Sequence, residues 1–231
     1  AAVSASGWVE PSAAGVGTFD VVYAFTDAAT GCTHTDTLEI VVNEPVIAEA
    51  GLDTTVCANA PLLQLEGYSP QAQVNWFSFS AEADAAVVDA AGGVVNPQAL
   101  TPGVHTFALE YGAGTCYTRD SMQVVVDPLP ALSLGDPEGW CGNLTDQTLA
   151  PAFPAGGTWF GPNVLDPDAG TYHVQQPPGT YAPGYTYTDP LTGCADTAFH
   201  SVTIHPVPVA DFAVHTPGCT TAPVASTPLS T

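Results

Sequence analysis

Between Gly17 and Val42 apolar and polar residues alternate. Phe19, Val21, Tyr23 and Phe25 occupy every second position, interleaved with Asp20, Val22 and Ala24. After Asp27-Ala28-Ala29-Thr30-Gly31 the alternation resumes with Leu38, Ile40 and Val42, set against Thr37, Glu39 and Val41. A period of two in aromatic and β-branched residues predicts two half-buried strands. The short segment with its glycine predicts the turn of a hairpin. The pattern returns at 103–126 and again at 179–204. In the last copy Tyr181, Tyr185 and Tyr187 precede the turn Asp189-Pro190-Leu191-Thr192-Gly193, and Phe199, Val202 and Ile204 follow it. A lone hairpin is marginal in water, so each copy needs a second layer over its apolar face.

Cysteines keep the same beat. Those at the hairpins, Cys32, Cys116 and Cys194, step by 116 − 32 = 84 and 194 − 116 = 78 residues. A second series, Cys57, Cys141 and Cys219, steps by 141 − 57 = 84 and 219 − 141 = 78. Two interleaved series with equal steps indicate one repeated module of about 80 residues, the size of an Ig-like sandwich. No CxxC occurs, so disulfides in an oxidising compartment are the better reading than zinc or thioredoxin chemistry. The favoured pairing is within modules, Cys57–Cys116 and Cys141–Cys194, leaving Cys32 and Cys219 to partners outside the segment. Two alternatives stay open. One is Cys32–Cys57, Cys116–Cys141 and Cys194–Cys219. The other joins the early cysteine of one module to the hairpin cysteine of the next, as in Cys57–Cys194, where the ends of stacked modules meet.

Taken in order, residues 1–44 are the C-terminal half of a module, 45–127 and 128–207 are two whole modules, and 208–231 are the first strands of another. Within the first whole module, Thr54–Cys57, Pro61–Leu65 and Val74–Phe77 read as strands, with a break at Gly51-Leu52-Asp53. Trp76 is a core candidate. Residues 80–93, rich in Ala and Asp, read as a loop or edge strand rather than a helix. Trp159-Phe160 repeats Trp76-Phe77 in the second. The junctions 43–46, 127–130 and 205–208 all contain proline, which restricts its own φ and the preceding residue, so they read as stiff spacers. Modules joined in this way are expected to form an extended rod. The chain reads as an excerpt of a tandem array. The rival is polymerisation, with residues 209–231 of one chain completing the open first module of the next by strand donation.

Composition bears on partners. The 231 residues include 22 Gly and 22 Pro, one Arg (Arg119) and no Lys, with a formal net charge of −22. Such a surface repels nucleic acid and anionic membranes. No run of 18 apolar residues is present to insert into a membrane. The acidity suits a salty or divalent-rich medium. A calcium-binding array is the rival explanation, but the chain has no DxDxDG loop. No cofactor is implied, and Ca2+ is the one ion the composition would suit.

The run W-(V/F)…P…AG-x-GT-(F/Y)-x-x-x-Y-x-(F/Y)-T-D…G-C…D-T…V, closed by a proline-bearing junction, resembles the PKD-like and Ig-like repeats of large Bacteroidota cell-surface proteins. These include gliding-motility adhesins and proteins exported by the type IX route. The first whole module departs from the run: Tyr111-Gly112-Ala113-Gly114 replaces the Tyr-x-(F/Y)-T-D segment and predicts a tighter turn. The resemblance implies an extracellular or cell-surface location. It also implies O-glycosylation where Asp precedes Ser or Thr and an apolar residue or Thr. Thr37, Thr54, Ser121 and Thr197 match that pattern. Asn143-Leu144-Thr145 matches the N-glycosylation sequon.

Catalytic signatures are missing from the sequence: there is no HExxH, GxSxG or phosphate-cradling loop. His200 and His205 are five apart and face opposite sides of a strand. Asp166/Asp168 and Asp189 read as turn residues. The expectation is therefore all-β, tandem Ig-like/PKD-like sandwich modules serving as the non-catalytic stalk or filament segment of a secreted adhesin. Its partners would be neighbouring modules, copies of itself or surface glycans. Two rivals are a carbohydrate- or protein-binding module presenting Trp8, Trp140 or the Tyr185/Tyr187 face, and an accessory region of an exported hydrolase.

Overall fold

The computed structural model describes residues 2–4, 6–113, 116–214 and 226–230, and it is all-β apart from short helical turns. Two hydrophobic cores organise it. The first gathers Leu65, Trp76, Val95, Phe107, Leu109, Met122, Val124 and Val126; the second gathers Leu149, Trp159, Tyr172, Val174, Tyr185, Val202 and Ile204.

Around the first core, four strands pair in the order Thr54–Cys57, Cys116–Asp127, Gly103–Ala113, Val74–Phe77. A three-stranded sheet, Leu63–Gln64, Val94–Val95 and Val87–Asp89, lies over them. The hairpin alternation sorts inward Phe107, Leu109, Met122 and Val124 from outward residues such as Val104 and Ser121. One pairing was not foreseen. Thr54–Cys57 runs parallel to the second hairpin strand, with Thr54 opposite Val124 and Cys57 opposite Asp127. Glu138–Cys141 does the same around the second core, with Cys141 opposite His205.

Trp76 and Trp159 are both buried, as expected, and both sit on a glycine. Gly93 has φ +70 and Gly170 φ +65, so the left-handed backbone brings each against the indole of its tryptophan. The surrounding backbone bonds match as well: Leu65 N–H to Gly93 O at 2.8 Å and Leu149 N–H to Gly170 O at 2.9 Å.

Residues 80–93 hold the expected edge strand, Val87–Asp89, but also a helix where none was expected. Ala81–Ala85 forms a short helix ahead of the strand Val87–Asp89. Alanine is the best helix former, and burying Ala83 anchors the turn. The third hairpin departs from expectation too. It breaks at Pro183 and His200, where His200 N–H bonds Pro183 O at 2.8 Å. Gly184–Thr188 then pairs with Ala195–Phe199, and Gly179–Tyr181 with Val202–His205, in separate sheets. The break flips the face, so Phe199 is exposed while Val202 and Ile204 are buried.

The first hairpin, Gly17–Thr26 paired with Thr33–Val42, makes a sheet of its own two strands. Tyr23 and Leu38 occupy the register positions of Leu109 and Met122, yet they are 66% and 64% exposed, against 0% and 2% for their counterparts. At the other end Ala210–Val214 pairs with Ser226–Ser230.

Candidate functional site at the junction between the two cores

The sulfur chemistry corrects the favoured pairing. Cys57 is bonded to Cys194, with Cα atoms 5.5 Å apart across 137 residues of sequence. Neither Cys57–Cys116 nor Cys141–Cys194 therefore forms. The reason is the parallel strand. Cys57 lies opposite Asp127, while Cys116 lies at the other end of that strand, opposite Ala113. Eleven residues at about 3.3 Å each separate those ends by roughly 35 Å, far beyond the ~7 Å that a disulfide spans. Cys141 lies opposite His205, and Cys194, eleven residues earlier in the chain, is already taken by Cys57. Cys32 and Cys141 are exposed thiols. Of Cys116 only the backbone is described, and Cys219 lies outside the described residues, so the expectations for their partners do too.

Two local structures meet at this bond. On one side is a corner. Beyond Cys57 the chain turns sharply: Ala58 N–H donates to Asp127 O at 2.9 Å and Ala60 N–H to Cys57 O at 2.9 Å. The Gln98 side-chain amide braces the corner, donating to Asn59 O and Ala60 O at 3.3 and 3.0 Å. On the other side is the hairpin turn. Asp189 Oδ1 accepts from the Leu191 and Thr192 amides at 2.7 and 3.4 Å. Asp189 N–H reaches Cys194 O at 2.9 Å, and Thr192 Oγ1 accepts from Cys194 N–H at 3.2 Å. These bonds hold Cys194 fully buried and aim it at Cys57. Asn59 Nδ2 donates to Ala195 O at 3.0 Å, a second tie beside the disulfide. Closing so long a loop removes about 5 kcal/mol of unfolded-chain entropy in the chain-entropy model.

The other residues singled out from sequence are dispersed. Asp166 Oδ1 caps its own turn, accepting from the Asp168 and Ala169 amides at 3.0 Å each. His200 contacts Glu138 Oε2 at 3.0 Å, while His173 contacts Asp146 Oδ1 at 2.7 Å. Among the described residues no three His, Cys, Asp or Glu side chains converge on a possible metal position. No helix among them is long and apolar enough to cross a membrane. Thr37, Ser121 and Thr197 are exposed on the second strands of their hairpins, and Thr54 is half-buried.

The aromatic platform loses most of its members. Tyr185 is buried, its hydroxyl donating to Pro154 O and accepting from Gly157 N–H, both at 2.7 Å. Trp140 packs against Tyr172, ring centroids 5.9 Å apart. Trp8 alone of the proposed platform residues is well exposed, at 79%.

No protein-family model matches the chain, and no curated protein matches it. Solved structures do. Drosophila N-cadherin EC1-4 aligns over 93% of this chain and 68% of its own, with 15% identity and a TM-score of 0.27. Mouse protocadherin-24 EC1-3 aligns over 82% and 80%, with 13% identity and a TM-score of 0.29. The insect immune protein hemolin aligns over 81% and 56%, with 15% identity and a TM-score of 0.33. These neighbours are Ig-like or cadherin-type β-sandwich proteins. Overlaps this loose transfer no activity or partner to the chain.

Proposed function

We propose that the chain is a non-catalytic structural segment, the stalk of a secreted or surface-anchored adhesin or filament. Modules 45–127 and 128–207 are its building blocks. The observation that carries this reading is the Cys57–Cys194 bond with its Asn59–Ala195 companion. A disulfide inside a module would protect that module alone. A disulfide between modules resists bending and separation at the junction, which is what a load-bearing or spacing element requires. Short proline-bearing junctions act in the same direction, and the −22 charge makes neighbouring stalks repel one another at short range. Glycans on the exposed hydroxyls of Thr37, Ser121 and Thr197 would coat the solvent face of the hairpins.

Small-angle X-ray scattering with and without reductant tests the reading. The oxidised protein is expected to show one extended maximum dimension. Reduction, or Cys57→Ser with Cys194→Ser, is expected to broaden the distance distribution while leaving both cores folded. A compact oxidised particle, or profiles identical in both states, would contradict it.

A further inference from the structure

Both halves of the Cys57–Cys194 dock occur a second time in this chain. The turn half recurs at Asp27-Ala28-Ala29-Thr30-Gly31-Cys32. Asp27 Oδ1 accepts from the Ala29 and Thr30 amides at 3.0 and 2.8 Å. Asp27 N–H donates to Cys32 O at 2.9 Å and Gly31 N–H to Asp27 O at 2.9 Å, matching Asp189–Cys194 and Gly193–Asp189 at 2.9 and 2.8 Å. Thr30 Oγ1 accepts from Cys32 N–H at 3.4 Å, as Thr192 does from Cys194. The glycines share the left-handed conformation, φ +70 and φ +74.

The corner half recurs at Cys141-Gly142-Asn143-Leu144. Gly142 N–H donates to His205 O and Leu144 N–H to Cys141 O, both at 3.0 Å. These repeat the Ala58–Asp127 and Ala60–Cys57 bonds. Asn143 stands two residues past its cysteine, as Asn59 does, and it is exposed. Both thiols, Cys32 and Cys141, are exposed.

We infer that the Asp27–Cys32 turn of one copy docks on the Cys141–Asn143 corner of a second copy and is locked there by an interchain Cys32–Cys141 disulfide. Asn143 Nδ2 donates to the Thr33 carbonyl of the docked copy, as Asn59 donates to Ala195. The second copy is the occupant because this chain carries both complementary halves, each built to the geometry of a dock already closed at Cys57–Cys194. The chemistry is thiol–disulfide exchange with a low-molecular-weight disulfide such as oxidised glutathione. The Cys141 thiolate attacks one of its sulfurs and releases one thiolate. The Cys32 thiolate then attacks the protein sulfur of the mixed disulfide, forms the interchain bond and releases the second. Two protein thiols are oxidised and one small disulfide is reduced to two thiols.

The inference rests on reading Cys57–Cys194 as a lock between modules. The test is run on the 231-residue chain with Cys116→Ser and Cys219→Ser, in oxidised glutathione at mildly alkaline pH. Non-reducing electrophoresis is expected to show a ladder, and peptide mapping a Cys32–Cys141 linkage. Adding Cys32→Ser or Cys141→Ser should leave monomers, while mixing those two variants should restore a dimer and stop there. Asn143→Ala should slow cross-linking roughly fivefold, the equivalent of one lost hydrogen bond. Persistent monomers, a Cys32–Cys141 bond within one chain, or an Asn143→Ala rate equal to the parent would each overturn the inference. The Cys57–Cys194 peptide is mapped in every sample. If it stays intact while monomers persist, the second-copy dock fails and the stalk reading stands.

Discussion

A Cβ built on Gly93 would lie 2.8 Å from Nε1 of Trp76, and one on Gly170 would lie 2.9 Å from Nε1 of Trp159. Each core therefore closes on a tryptophan seated against a glycine. Gly93→Ala is expected to destabilise the first core by about 1–3 kcal/mol through overpacking, with left-handed strain added. Because Nε1 of Trp76 is buried with no hydrogen-bond partner among the described residues, Trp76→Phe removes both the closest contact and the orphan donor. Urea unfolding of the two single variants and the double variant should show non-additivity, with Gly93→Ala costing less beside Phe. Additive costs would place the strain elsewhere.

Glu138 clamps the second core. Its Oε1 accepts from Ala150 N–H at 2.6 Å and its Oε2 meets the buried His200 at 3.0 Å. Glu138→Ala strands a buried imidazole and a part-buried amide together. The expected cost is about 1–3 kcal/mol, read as a lower thermal midpoint, with the first core unaffected. Glu138→Gln keeps hydrogen-bonding capacity and should cost less. Equal losses from the two variants would contradict the clamp.

The Asp27 turn has a pH signature. Thr30 N–H, then the Thr30 hydroxyl, then Ala29 N–H hold the Asp27 carboxyl below its ordinary value. A depressed folded-state value means that the turn is stabilised at pH above the unfolded carboxylate value, about 3.9. That stabilisation is lost as pH falls through the folded value. An NMR titration should place the Asp27 midpoint below about 3.9, with the Thr30 amide shifting alongside it. A midpoint at or above that value would contradict the bonding described. Asp27→Asn should abolish the linked shift.

Much of this architecture is legible in the amino-acid sequence. The alternation at 17–42 and 103–126 marks hairpins, Val74–Phe77 is a strand to the residue, and Asp166 and Asp189 are turn formers. Alternation reports which face a residue takes, and says nothing of which strand lies alongside. The parallel placement of Thr54–Cys57 was therefore hidden, and with it the separation of Cys57 from Cys116. One available signal was missed. Phe199 and Val202 are three apart, an odd step that cannot keep one face of a continuous strand, and the chain breaks between them at His200. Tyr185 reads as a surface aromatic until Pro154 and Gly157 are found around its hydroxyl.

Proteolysis under non-reducing conditions, followed by mass spectrometry of linked peptides, probes the junction lock most directly. A Cys57 peptide joined to a Cys194 peptide is expected, resolving into its two parts on reduction. Cys57 recovered with Cys116, Cys194 recovered with Cys141, or both found as free thiols in protein from an oxidising compartment would contradict the account.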